Sequence, residues 1–332
     1  IDIYPAWVRN QAKLTYPAVG TWLEQNAPAL QHPLPNIPHL REQLTLQDQI
    51  AEKIQQYRNA QGALSFAEIE LQAVVVDGIP VALEERIYNR AHRLIENAMI
   101  AANVGATRYL VERKLPSIRR IVRTPKKWDR IVVLAKNLGE MLPKKPDSKA
   151  LRKFLLHQQA QAPLLFPDLS IAVIKLLGRG EYVLGLPGKD HLEHFDLAES
   201  EYSHTTAPNR RFPDLIMQRL LKSSLYGDLS PYTNQELSTL AAHCTQKEDD
   251  ATKVERRLIK CAAAIVLSKE IGRSFSAMVT GASPKGTWVR LQKPPIEGKL
   301  IRGFEGVDVG DFIKVKLLHV DVLNGHIDFA KV

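Results

Sequence analysis

Residues Tyr202–Leu221 read Tyr-Ser-His-Thr-Thr-Ala-Pro-Asn-Arg-Arg-Phe-Pro-Asp-Leu-Ile-Met-Gln-Arg-Leu-Leu. Pro208 and Pro213 each fix φ and push the residue before them toward extended geometry. The stretch 207–212 is therefore expected as a stiff loop. Pro213 suits the first turn of a helix, and Asp214 suits the positive end of that helix's dipole. The loop carries two adjacent arginines, Arg210 and Arg211. A guanidinium is always charged, and its planar fork of donors matches a phosphate. A phosphate clamp is one reading of this loop. A surface turn whose arginines pair with nearby carboxylates is the other.

Upstream of this loop the pattern is mostly helical. The sequence predicts helices over Pro17–Asn26 and His39–Ala60, the second stopped by Gly62, with a proline-rich link from Pro28 to Pro38 between them. Ala63–Leu71 and Ala73–Val76 read as strands, the latter joined through Asp77-Gly78 to Ile79–Leu83 as a hairpin. Arg86–Lys114 is the strongest helical signal, with apolar residues from Ile87 to Leu110 at helical spacing. Further helices are predicted at Lys127–Met141, Ser148–Ala160, Leu169–Leu177 and Pro213–Leu225. Asn234–Glu270 reads as one long helix, or two with a break near Lys247–Asp250.

After Gly272 the period changes from helical to alternating. Phe275, Ala277 and Val279 alternate, and Pro284-Lys285-Gly286 turns into Thr287–Leu291. Glu297–Ile301, Asp311–Val322 and His326–Ala330 complete five short strands punctuated by glycine. This is the pattern of a small, partly open barrel of the oligonucleotide-binding (OB) type. Its aromatics Phe275, Trp288 and Phe304 stand among Lys285, Arg290, Lys293 and Lys299. Base stacking is worth on the order of 1–3 kcal/mol per base and tolerates any sequence. Trp288, directly after the Gly286-Thr287 turn, is the better stacking candidate there.

The 332 residues carry a net charge of +9. Fifteen Lys and Arg against four Asp and Glu lie between Arg108 and Lys153, so the remainder is slightly acidic. Such local excess points to a polyanionic partner. Two cysteines, Cys244 and Cys261, give no disulfide framework or metal-ligand spacing, and a reducing cytoplasmic setting is expected. No apolar run has the length needed to span a bilayer. The chain begins at Ile1 with no signal peptide, which reads as a fragment.

Nuclease chemistry on a phosphodiester needs a carboxylate cluster to hold divalent metal ions. None is legible here. Glu248-Asp249-Asp250, Glu84-Glu85, and Glu68 with Glu70 read as solvated faces. His191 and His194 are three apart with no carboxylate pattern beside them, which argues against a zinc site. Gly-rich phosphate loops, nucleophile elbows and Cys/His pairings are missing.

The string Tyr202–Leu221 resembles the motif of the ribonuclease II/R exoribonucleases. His194-Phe195-Asp196-Leu197 is similar to an element just upstream of that motif. The run from Ala91 to Asn103 resembles the family's long helix, Gly62–Phe66 its preceding strand, and Ala12–Tyr16 the start of its helical half. The resemblance implies an α+β chain. Residues 1–270 would be the mostly helical C-terminal part of a ribonuclease II-type catalytic domain, and 271–332 a five-stranded, S1-like OB barrel.

The implied activity is processive 3′–5′ hydrolysis of single-stranded RNA to nucleoside 5′-monophosphates with magnesium. The resemblance puts Arg210 on the scissile phosphate, Tyr16 where the terminal nucleotide is positioned, and Glu96 against the terminal nucleotides. It makes Phe66 a stacking aromatic and Glu255 a further RNA contact; Arg211, His204 and Trp288 complete the expected RNA-binding set. Magnesium ligands are expected in a segment before Ile1, which would be this chain's intramolecular partner in a monomeric cytoplasmic enzyme. Asn97 stands where a second glutamate is usual after Glu96, and Glu297-Gly298-Lys299-Leu300 departs from the usual barrel motif. The rival expectation is a non-catalytic single-stranded RNA-binding protein; a translation-associated S1 protein is a third.

Overall fold

The computed structural model describes residues 2–24, 34–67, 70–188, 194–283 and 286–332. Pro28 and most of the proline-rich link, Glu68, His191 and the Pro284-Lys285 turn lie outside the described residues. The chain forms two compact units. One comprises Ile1–Phe66, Tyr88–Gln161 and Ala172–Gln246, the other Ala67–Ile87, Ala162–Ile171 and Lys247–Val332.

The first unit is built on helices. In order they are α1 (Tyr16–Glu24), α2 (Leu40–Gln61), α3 (Arg90–Glu112), α4 (Trp128–Asn137), α5 (Ser148–Gln161) and α7 (Phe212–Tyr226). Between α5 and α7, α6 (Phe166–Leu177) contributes its second half. Gly62 ends α2 in the left-handed region at φ 106°, with its N–H returning to the Arg58 carbonyl. Ala63–Phe66 is irregular rather than the strand expected, although Ala63 is buried.

Helix α3 begins four residues later than the periodicity predicts, because Asn89 caps it. The Asn89 side chain accepts from the Ala91 and His92 amides, and the His92 ring returns to the Asn89 amide. Ala106, Tyr109 and Leu110 of α3 pack with Ile216, Met217 and Leu220 of α7 and with Leu237, Ala241 and Cys244. Those last three belong to α8 (Asn234–Leu267), which runs unbroken through Lys247–Asp250. Thr233 and Glu236 form a reciprocal box at its start.

Two strands of this unit went unread in the sequence. β3 (Ser117–Ile121) pairs antiparallel with β4 (Glu181–Gly185). Four of the five β3 residues are buried, Arg119 among them at 6% exposure. Part of the basic stretch from Arg108 to Lys153 is thus interior. Gly185 makes room for Arg119: a Cβ there would lie 2.4 Å from its Cγ.

The second unit contains the hairpin β1 (Leu71–Val76) and β2 (Ile79–Glu85), which turns at Asp77 and Gly78, both at positive φ. Arg86 continues the hairpin instead of opening a helix, since its amide bonds the Glu70 carbonyl. The barrel strands are β5 (Ser274–Ser283), β6 (Gly286–Leu291), β7 (Glu297–Arg302), β8 (Phe312–Asp321) and β9 (His326–Lys331). Their order is β5-β6-β7-β9-β8, and pairing of β5 with β8 closes the barrel that was expected to be partly open. Strands β7 and β9 run parallel; the other pairs are antiparallel. Val279, Val289, Leu300, Leu317 and Phe329 fill the interior, and Ala262–Ala264 and Leu267 of α8 join the same core.

Candidate active site

The arginine loop is fixed by a buried carboxylate. Asp214, in the first turn of α7 and fully buried, accepts the Ala207 N–H at 2.9 Å and the Arg211 guanidinium at 2.7 Å, all through Oδ1. The Ala207 carbonyl in turn accepts the amides of Arg210 and Arg211. Gln218 of α7 donates to the Thr205 carbonyl at 2.8 Å. Arg211 is therefore committed to the protein. The Arg210 side chain is exposed and makes no hydrogen bond or ion pair among the described residues. Two adjacent arginines that look alike in sequence have separated into a structural one and a free one.

The floor of the loop is aromatic. His204 Nδ1 lies 2.8 Å from the Tyr182 hydroxyl, and its ring meets Tyr182 and Tyr202 edge-on with centroids 5.7 and 5.6 Å apart. Burial, and then the positive charges of Arg211 and Arg120, push the His204 pKa down to about 3. The imidazole is neutral at physiological pH, so His204 offers no cation to RNA. Tyr202 is buried, and burial raises its pKa; its hydroxyl accepts from Asn103 Nδ2 at 3.1 Å.

A second cluster gathers at the start of α3. The Tyr16 ring stacks on His92 at 3.9 Å and 12°, and Tyr88 covers His92 at 5.0 Å. The Tyr88 hydroxyl donates to Glu96 Oε2 at 2.5 Å. Desolvation by burial, reinforced by that bond, raises the Tyr88 pKa, keeping the phenol protonated. Arg58, buried on α2, lies 3.9 Å from Glu96 and donates to Asn97 Oδ1 at 2.9 Å. Asn97, at the position where the family resemblance implies a second glutamate, is therefore a structural partner of Arg58. Tyr16 and Glu96 are brought into one group, and the arginine loop is tied to the same helix further along, at Asn103.

Phe66, Glu255 and Trp288 lie outside these clusters, whereas the His194 ring meets Tyr202 edge-on at 5.3 Å. Phe66 is half-buried in the segment after Gly62, which is held by a bond from the Leu64 amide to the Asp196 carbonyl at 2.7 Å. His194 Nδ1 lies 2.5 Å from Asp196 Oδ1; burial opposes ionisation of Asp196, but the bond to His194 prevails and holds its pKa low. Glu255 and Trp288 belong to the other unit. Glu255 is exposed on α8, and Trp288 is half-buried on the outer face of the barrel opposite Lys299. Arg290, grouped with the RNA-facing cations on sequence, instead pairs with Asp168 at 2.7 Å with both side chains mostly buried.

A cavity of about 1520 Å³ opens beside the arginine loop in the helical unit, lined among others by Tyr4, Trp7, Arg58, Arg108, Thr205 and Lys222. Its walls combine cations with aromatic rings, as a nucleic-acid channel requires. Among the described residues no group of three or more His, Cys, Asp or Glu could hold a metal ion. The described residues do not fit a magnesium site. Nor is any helix among them long and apolar enough to cross a membrane.

Asn103, Asp214 and Arg58 were missed as site residues. Asp214 had a local signal, three residues after Arg211; the other two act on partners distant in sequence.

A model of the RNB domain matches residues 1–227, and one of the RNase II-type exonuclease C-terminal S1 domain matches residues 273–332. Ribonuclease R of Aquifex aeolicus is 26% identical over 359 residues, covering 99% of this chain and 49% of that protein. Ribonuclease R of Escherichia coli is 28% identical over 315 residues, covering 89% of this chain and 37% of that protein. The chain thus spans half or less of these relatives' length. Among solved structures, Mycoplasma genitalium RNase R in complex with ribose methylated single-stranded RNA superposes with a TM-score of 0.83 at 21% identity, covering 96% of this chain and 53% of that one. Yeast Ssd1, a pseudonuclease, has the same fold at a TM-score of 0.63 and 17% identity, covering 94% of this chain and 37% of that one. With the RNB model matching through the end of α7 and the S1 model matching the barrel, the chain belongs to the RNB domain family.

Proposed function

We propose that the full-length protein is a 3′–5′ exoribonuclease that hydrolyses single-stranded RNA processively to nucleoside 5′-monophosphates with magnesium. The observation that carries this reading is the arginine loop, in which Asp214 neutralises Arg211 and leaves Arg210 free. Family membership supports the reaction class. The RNA-bound structure of the Mycoplasma relative supports the substrate class.

In this reading Arg210 holds the scissile phosphate and offsets the charge that develops on its oxygens. Preorganised donors aimed at developing charge contribute on the order of 3–4 kcal/mol of transition-state stabilisation. A guanidinium does not accept a proton, so activation of the attacking water falls to other groups. Tyr16, backed by His92, positions the terminal nucleotide, and Glu96 contacts it from α3. Phe66 stacks on a base further along the strand, while Glu255 and the barrel's Trp288 contact RNA in the second unit. Arg211 and His204 serve by shaping the loop. Magnesium ligands are assigned to a segment preceding this one in the intact protein. Free thiols at Cys244 and Cys261 suit a cytoplasmic setting, and a monomer suffices for the site.

The test is incubation of the full-length protein with 5′-labelled single-stranded RNA and magnesium, with and without chelator. A chelator-sensitive ladder shortening from the 3′ end is expected. Retention of the RNA without shortening would favour a non-catalytic RNA-binding protein.

A further inference from the structure

Asn103 lies at the centre of α3 and is fully buried. Its Oδ1 accepts two hydrogen bonds from Thr205, from the backbone N–H and from Oγ1, both at 2.8 Å. Its Nδ2 donates to the Tyr202 hydroxyl at 3.1 Å. The amide orientation is fixed by the Thr205 backbone N–H, which can only donate. A single side chain thus grips both ends of the segment Tyr202–Thr205, whose own members Ser203 and Thr205 are buried. Asp214 fixes the following stretch through Ala207 and Arg211. Arg210 sits between Ala207 and Arg211, the two residues Asp214 holds; its amide bonds the Ala207 carbonyl and its guanidinium has no partner among the described residues.

Helix periodicity adds a second relation. Asn103 follows Glu96 by seven residues, two turns, so both project from the same side of α3, about 10 Å apart along its axis. Glu96 is held there by Tyr88. One rigid helix therefore fixes the carboxylate of one cluster and the root of the loop that carries the free arginine.

We propose that Asn103 is a positioning residue that sets where Arg210 stands relative to Glu96. The proposal rests on the exoribonuclease reading for its kinetic consequence, and on the hydrogen bonds alone for its structural one. Asn103→Leu keeps the branching at Cγ and removes all three bonds. Misplacing a phosphate-holding group by an ångström costs about 100-fold in rate, so kcat is expected to fall ~10- to 100-fold with KM changed no more than about twofold.

The experiment measures kcat and KM of the full-length protein on single-stranded RNA for Asn103→Leu, alone and combined with Arg210→Ala. Hydrogen exchange at the backbone amides of residues 203–211 is followed in parallel. If Asn103 acts through Arg210, the Asn103→Leu deficit vanishes once Arg210 is gone. Loop exchange should rise at least about tenfold while the barrel is unchanged. An undiminished further loss in the Arg210→Ala background overturns the proposal, as does unaltered loop exchange. Thr205→Val, which deletes only the hydroxyl contact, is the gentler variant should Asn103→Leu fold poorly, and a smaller change in the same readouts is expected of it. Absence of ribonuclease activity in the unmutated protein would sink the exoribonuclease reading, while the exchange arm would still decide whether Asn103 anchors the loop.

Discussion

Arg210 and Arg211 are adjacent and chemically identical, yet burial of one carboxylate separates their roles. Asp214 has no exposed surface, so its charge needs a partner within the protein, and Arg211 is that partner. The sequence offered both arginines as phosphate donors. The i, i+3 relation of Arg211 to Asp214 was legible, but the burial that makes the pair obligatory was not. His204 shows the same limit, since its neutrality follows from Tyr182, Arg120 and Arg211 closing around it. Its unfolded-state pKa is near 6.5 and its folded-state value about 3, so the unfolded chain binds the proton first. Stability from neutral His204 is complete above pH 6.5 and is lost as pH falls from there toward 3. Between pH 7.5 and 5.5 the contribution lost is on the order of 1 kcal/mol. Urea unfolding at those two pH values should show a smaller difference for His204→Gln than for the unmutated protein. Equal differences would mean the imidazole is not held neutral.

Elements were legible where period and punctuation agreed. The five barrel strands and all the long helices were anticipated to within a few residues. β3 and β4 were not, because the buried run at Ser117–Ile121 lacks alternation and holds two arginines. Ala63–Phe66 had the composition of a strand but has no ladder partner; Gly62 turns it instead. In the barrel, Gly298 carries a demand that its sequence context did not announce. A Cβ there would lie 2.4 Å from the Phe329 ring and 2.7 Å from the Ile327 carbonyl, across the parallel β7–β9 pair. Overpacking of this kind costs about 1–3 kcal/mol. Gly298→Ala should lower the thermal midpoint of the barrel by several degrees, measured by near-UV circular dichroism. An unchanged midpoint would show that β7 and β9 are not packed this closely at Phe329.

For the molecule as a whole, the net charge of +9 was the first sign of a polyanionic partner, and the structure refines where that charge is usable. Arg119 is buried, Arg211 is bound to Asp214, and Arg290 is bound to Asp168. Arg108, half-exposed and 3.6 Å from Glu201, and Lys222 instead line the cavity beside the arginine loop, which Arg58 also lines although it is buried and bonded to Asn97. Family membership was readable from ordered motifs because those motifs mark the loop, the long helix and its cap. The anchoring network was not readable, because Asn103 meets partners 99 and 102 residues away. The central claim is that Arg210 acts on the phosphate in the transition state while Arg211 serves the fold. It is tested most directly by measuring turnover and RNA affinity side by side for Arg210→Ala in the full-length protein, with thermal stability of Arg211→Ala as the counterpart. The account predicts an Arg210→Ala enzyme about 100- to 1,000-fold slower with RNA affinity nearly unchanged, and an Arg211→Ala protein destabilised by about 3 kcal/mol. Equal losses of turnover and affinity in Arg210→Ala, or a fully stable Arg211→Ala, would contradict it.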